Sequence, residues 1–126
     1  MATILEVNLF NLGNKFNFKA SNRKEYSMER TEVVLNEANR GEIFLFSDDK
    51  QAGKMDISVK ADTLKVYHTE VDEAYNGRGF ARILLDKLVG YARENNLKII
   101  PLCPYVHGQF KRRPEEYADV WLKNDE

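Results

Sequence analysis

The chain is poor in the residues that staple or partition small proteins. It has one cysteine, Cys103, and three prolines. A lone cysteine excludes an intramolecular disulfide and a cysteine zinc cluster, and no His, Asp or Glu grouping has metal-ligand spacing, so no metal is expected. No apolar run approaches the ~18 residues that a membrane span requires, and no membrane partner is expected. Charge of one sign is also lacking: 19 basic and 20 acidic side chains leave a net charge of −1 and a pI near 6.2. Nucleic-acid-binding domains commonly have a pI above ~9, so no nucleic-acid partner is expected either. The start, Met1-Ala2-Thr3-Ile4-Leu5-Glu6, has neither the basic nor the long apolar part of a secretory signal, and a cytoplasmic location is the expectation. Repeats and low-complexity tracts are missing too. What remains is 126 residues, 43% hydrophobic and 31% charged, the balance of one ordinary globular domain.

Within that domain the periodicity changes along the chain. Residues 1–30 read as an extension: Leu5, Val7 and Leu9 alternate with polar residues, Gly13-Asn14 suits a hairpin turn, and Phe16 and Phe18 resume the alternation. Lys19 to Arg30 is polar and reads as a loop. The domain proper is expected over residues 31–126. Glu42-Ile43-Phe44-Leu45-Phe46 puts apolar residues on both faces, as in a strand covered on both sides. Gly53, Met55, Ile57 and Val59 alternate with polar residues, and Leu64 to Val71 forms a third strand after a tight turn at Ala61-Asp62. Short turns predict an antiparallel meander. From Phe80 the period switches to three-four spacing through Ile83, Leu84, Leu88, Tyr91 and Ala92, which predicts a helix ending at Asn95-Asn96. Gly90 inside it suggests close packing at that point. Leu97 to Leu102 reads as a further strand, and Tyr105 to Leu122 as helix in two pieces broken at Pro114. The class is α/β or α+β with a mixed sheet: a meander, then a parallel strand-helix-strand unit, then a C-terminal helix.

The junction of strand and helix carries the most chemistry. Asn76-Gly77-Arg78-Gly79-Phe80-Ala81 places two glycines directly before the helix. Unpaired N–H groups and the positive end of the helix dipole make such a start a phosphate site, and Arg78 adds a planar cation. The same spacing also suits a plain strand-to-helix turn. A P-loop is excluded because no Gly-Lys-Ser/Thr follows, and the dinucleotide fingerprint fails at Arg82.

In four places the sequence resembles the GCN5-related N-acetyltransferases, and in particular their small acetyltransferase-like branch. Asn76-x-x-Gly79-x-Ala81 is similar to the family's Gln/Arg-x-x-Gly-x-Gly/Ala motif. His68-Thr69-Glu70-Val71, Pro101-Leu102-Cys103-Pro104 and Pro114-Glu115-Glu116-Tyr117 follow the branch's other signatures in order. The resemblance runs from about Arg40 to Val120. It departs at Asn76, which replaces Gln or Arg, and at Glu116, an additional residue in the tail motif. It implies acetyl-CoA as co-substrate. The coenzyme A pyrophosphate would lie on the main chain of Gly77 to Ala81, and the pantetheine along Thr69, Glu70 and Val71; Asn76, Gly77, Arg78, Gly79, Phe80, Ala81 and Arg82 complete the expected coenzyme site. It also points to Cys103 and His68 as the reactive pair.

The residues themselves support that pair only partly. Acetyl transfer to an amine needs a neutral nucleophile, a polarised thioester carbonyl and a proton for the leaving thiolate. Cys103 follows a parallel strand at its carboxyl end, where open α/β sheets place ligands. Alternatively it is a small buried hydrophobe. His68 would activate it from the neighbouring strand, or be an ordinary histidine satisfied by one hydrogen bond. Glu70 alternates with His68 and Val66 and so is expected on their face, to orient His68, to act as base, or to sit at the wet end of the sheet. Tyr105 could protonate the thiolate or simply pack. His107 is expected at the surface, Lys111-Arg112-Arg113 as a solvated run, and Phe110, Tyr117 and Trp121 in packing. The function expected is transfer of an acetyl group to a primary amine of unidentified acceptor. The alternative is a coenzyme A-binding or interaction module without turnover. A monomer or weak homodimer is expected from a short sheet with open edges.

Overall fold

The computed structural model describes residues 27–123, so the hairpin expected before Phe18 lies outside the described residues. One sheet of five strands runs in the order β1-β2-β3-β4-β5: β1 (Glu29–Leu35), β2 (Arg40–Ser47), β3 (Lys50–Lys60), β4 (Thr63–Val71) and β5 (Lys98–Pro101). The first four form the antiparallel meander, and β5 joins β4 in parallel after a crossover through α1 (Phe80–Glu94). The tail forms α2 (Pro104–Arg112) and α3 (Pro114–Tyr117), divided at Pro114 as expected, but helix does not continue to Leu122. The chain turns after Tyr117, and Trp121 bridges Ile99 of β5 in parallel, where main-chain pairing with the sheet edge replaces helical bonding. A parallel neighbour needs a crossover, whereas the meander needs only tight turns. Asp48 and Asp49, at φ 50 and 69, make one of these, and Ala61, at φ 55, begins another.

Strand β1 begins inside the expected loop, Lys19 to Arg30, of which residues 19–26 also lie outside the described residues. Thr31, Val33 and Leu35 alternate with Arg30, Glu32 and Val34, and β2 pairs with the segment along its whole length. Hydrogen bonding to a neighbour therefore extends the strand into a polar stretch.

The core lies on one face of the sheet. Ile43 and Leu45 of β2, Met55 and Ile57 of β3, and Leu64 and Val66 of β4 are fully buried against Leu84, Leu85, Leu88 and Ala92 of α1. Val106 and Phe110 of α2 and Tyr117 of α3 extend that core, with Phe110 and Tyr117 stacked at 4.6 Å between ring centroids. Burying each Leu or Ile side chain contributes roughly 1.5–3 kcal/mol. The opposite face of β1 to β4 carries half-buried and exposed residues, including Phe44 and Phe46. Strand β2 was expected to be covered on both sides. Instead, Phe46 is capped by the Arg30 guanidinium at 4.3 Å and lies 6.1 Å from Phe44. Gly90 also differs from expectation: a Cβ there would meet nothing within 4 Å, so the helix needs no glycine at that point.

A bulge in β4 decides which side chains can reach one another. Ile57 is opposite Val66, but the next pair is Asp56 with His68, leaving Tyr67 as an additional residue on β4. Such an insertion reverses the alternation beyond it. Thr69 and Val71 consequently return to the face of Met55 and Gly53, while His68 and Glu70 share the solvent face with Asp56 and Lys54. Glu70 does share a face with His68 as expected, but Val66 lies on the other side of the sheet.

Candidate active site

The β4–β5 ladder ends at Val66 opposite Pro101, whereas β4 continues to Val71. The chain leaves β5 at Leu102, and Cys103 makes one more bond to β4, its N–H donating to the Val66 carbonyl at 2.9 Å. Beyond it the two segments part. In an antiparallel ladder successive residues point their main-chain groups to alternate sides. The Asp72 N–H donates to Ala52 on β3 at 2.8 Å, which turns the main-chain groups of Thr69 and Val71 away from β3, toward the opening. A second extended segment fits that free edge.

At the far end of β4 the chain passes through a short 3-10 turn, Glu73–Tyr75, begun by the Asp72 carboxylate accepting from the Ala74 N–H at 3.0 Å. Asn76 closes the turn and donates its N–H to Glu73. Gly77 and Gly79 then take φ values of 80 and 77, a region other side chains enter at a cost of about 1 kcal/mol or more. A Cβ at either position would project into open space, so the backbone is bare toward solvent on that side. The Arg78 N–H turns inward to the Tyr75 carbonyl, and α1 begins bonding with the Arg82 and Ile83 N–H groups on Gly79. Among the described residues the N–H groups of Gly77, Gly79, Phe80 and Ala81 have no main-chain acceptor. Donors without acceptors at the positive end of a helix dipole have the chemistry that suits an anion.

The two arginines expected at this helix start are partly engaged elsewhere. Arg78 lies 5.4 Å from the Tyr75 ring centroid and 5.1 Å from that of Phe80, rings themselves stacked at 5.2 Å, and donates to Ser27 Oγ at 3.1 Å. Arg82 pairs with Asp86 one turn along at 3.1 Å, which raises its already high pKa.

Cys103 and His68 are not brought together. The Cys103 side chain is buried, 2% exposed, and its Sγ lies 3.2 Å from the Thr69 hydroxyl. His68 is exposed on the other face, one residue beyond the bulge. Glu70, also exposed there, lies 3.9 Å from the Lys54 ammonium, whose pKa is raised chiefly by its hydrogen bond to Asp56. Tyr105 stands two residues past Cys103 in the first turn of α2, half-buried, and burial raises its pKa, so its phenol keeps its proton through the neutral range. Thr69, expected to contribute only main chain, also presents its hydroxyl to Cys103. That contact depends on the bulge, and strict alternation along β4 would not have placed it. His107 is exposed and lies edge-on to Trp121 at 6.1 Å, and Lys111, Arg112 and Arg113 are exposed. No helix among the described residues is long and apolar enough to cross a membrane.

A meander, a parallel pair that parts beyond Cys103 and a helix start with unpaired N–H groups make an α+β domain with an extended opening. A family model described as GCN5-related N-acetyl-transferase matches residues 40–120, nearly two thirds of the chain, and the protein belongs to that family. Its members in general use acetyl-CoA as co-substrate. Among solved structures, a GCN5-like protein of Staphylococcus aureus aligns with a TM-score of 0.54 at 26% identity, over 75% of this chain and 90% of that one. The ribosomal-protein-S18-alanine N-acetyltransferase of Escherichia coli aligns with a TM-score of 0.54 at 14% identity, over 59% of this chain. The alignment spans 66% of the Escherichia coli enzyme. A search of curated proteins gave no match.

Proposed function

We propose that the protein transfers an acetyl group from acetyl-CoA to a primary amine. The observation that carries the reading is the free inner edge of β4 opening toward a helix start whose N–H groups lack acceptors. The N–H groups of Gly77, Gly79, Phe80 and Ala81 hold the pyrophosphate, and the main chain of Thr69 and Val71 pairs with the pantetheine. Asn76, Glu70, Arg78 and Arg82 border this path. Arg82 contributes once it exchanges Asp86 for a phosphate.

The thioester then lies between β4 and Cys103. The amine nitrogen attacks the carbonyl carbon, a C–N bond forms, and the C–S bond breaks with its electron pair on sulfur. Tyr105 gives that sulfur a proton, and the amine loses one to His68 on the solvent face. Cys103, buried and bonded to Thr69, positions the thioester. We therefore expect Cys103→Ala to lower kcat/KM about tenfold and leave coenzyme A binding intact, within the range that one positioning contact supplies. Free thiol release and intact-protein mass spectrometry check this. An acetyl mass shift on Cys103 would instead make it the nucleophile. Coenzyme A binding without turnover on any amine would leave only a binding module, a reading favoured by the engagement of Arg78 and Arg82 within the protein.

A further inference from the structure

We propose that the solvent face of the sheet beside His68 binds the acceptor, and that it selects the primary amine of an acidic peptide. This rests on the transferase reading and names its substrate class. Two open cavities adjoin on that face, of about 390 and 760 Å³, and both are lined by Arg40 and Tyr67. Glu42 and Asp56 line the smaller, while Lys60 and Lys65 line the larger, which has no carboxylate in its wall.

The ladder shows why the charges separate in this way. Arg40 is opposite Ser58, and Ser58 is opposite Lys65, which makes one cationic row across three strands. The next outward-facing row is Glu42, Asp56 and His68. Tyr67, the bulge residue, stands between the rows. Its hydroxyl is 2.7 Å from Ser58 Oγ and its ring lies 5.1 Å from the Arg40 guanidinium. Among the described residues Arg40, Lys60, Lys65 and Glu42 form no ion pair, and Asp56 is held by Lys54 at 3.3 Å.

An ammonium group settles in the acidic row, next to His68, and gives its first proton to solvent, so that His68 is free to take the second as the amide forms. The cationic row then faces the remainder of the acceptor. Outward-facing residues two apart on a strand are separated by about 7 Å, which is also the reach of two residues of extended peptide. The complementary acceptor therefore carries Asp or Glu two or three residues after its reacting amine.

The test uses the full chain and two fluorescein-labelled peptides, Ala-Gly-Glu-Asp-Glu-Gly and its amide counterpart Ala-Gly-Gln-Asn-Gln-Gly. Fluorescence anisotropy at low salt should show the acidic peptide binding about tenfold more tightly, as expected for two partly solvated ion pairs, with the preference shrinking as salt rises. The double variant Arg40→Glu/Lys65→Glu should lose the preference while keeping its circular dichroism spectrum and its coenzyme A affinity. Equal binding of the two peptides, an unchanged preference in the double variant, or tighter binding of a labelled single-stranded oligonucleotide would overturn the proposal. The two readings fail separately. Acetylation of both peptides with the same kcat/KM sinks the acidic groove and keeps the transferase; tight binding of the acidic peptide with no amine acetylated sinks the transferase and keeps the peptide site.

Discussion

In the proposed coenzyme site Gly79 is the decisive residue, because it combines a left-handed backbone with an uncovered N–H. Gly79→Asp adds a side chain that strains the φ of 77 and places a carboxylate where an anion must sit. Isothermal titration should show coenzyme A affinity falling at least about a hundredfold, the joint effect of lost approach and like-charge repulsion. Unchanged affinity would remove the helix start from the site. The position was readable from the glycines and the helix period that follows them. The engagement of Arg78 with Tyr75 and Phe80 was not, since both rings come from separate elements folded back over it. Thr69 illustrates the same limit. Its neighbours in sequence say nothing of Cys103, 34 positions away, until the bulge turns its hydroxyl inward.

At the scale of the element, α1 was the most legible part of the chain because its apolar period is local. Its start at Phe80 follows from the apolar period and the glycines before it, and its left-handed Asn96 (φ 55) from C-terminal capping chemistry. Its interior yields a prediction. Gly90 has open space where a Cβ would go, so Gly90→Ala should stabilise the fold by about 1 kcal/mol, the helix-propensity difference, raising Tm by a few degrees in calorimetry. A lower Tm would mean a close contact at that point after all. The last turn of α1 also secures the tail. Arg93 donates to both Asp119 carboxylate oxygens, at 2.9 and 3.1 Å, and to the Glu116 carbonyl at 2.9 Å. The guanidinium holds the Asp119 carboxyl below its usual range, so this contribution is present above about pH 4 and lost as the carboxyl protonates at lower pH. Both partners are half-exposed, and solvent screening limits the effect of Arg93→Ala to about 1 kcal/mol. Urea unfolding at pH 7 and pH 3 checks both size and sign: the difference between wild type and variant should shrink in acid.

For the whole molecule, the weak point in alkali is the packing of the tail on the sheet. Tyr117 is buried with no partner for its hydroxyl among the described residues, and burial raises its pKa as it does that of Tyr105. The folded state keeps both phenols protonated more strongly than the unfolded chain does. Their contribution is therefore fully present below about pH 10 and lost as pH rises through their folded values. Tyr117→Phe should leave stability at pH 7 unchanged or raise it by up to about 1 kcal/mol, since it removes an unsatisfied group at constant packing. It should also move the alkaline unfolding midpoint upward; a large loss of stability at pH 7 would mean that the hydroxyl has a partner. The sequence by itself determined the order of strands and helices from β2 onward, the helix start that suits a phosphate, and the isolation of Cys103, because these depend on local period, turn residues and composition. The tertiary structure decided the rest: that β1 is a strand, that β4 bulges at Tyr67, and that Cys103 meets Thr69 while His68 faces solvent beside two rows of opposite charge. Register between strands is set by pairing over long separations, and one inserted residue reassigns every side chain beyond it to the other face.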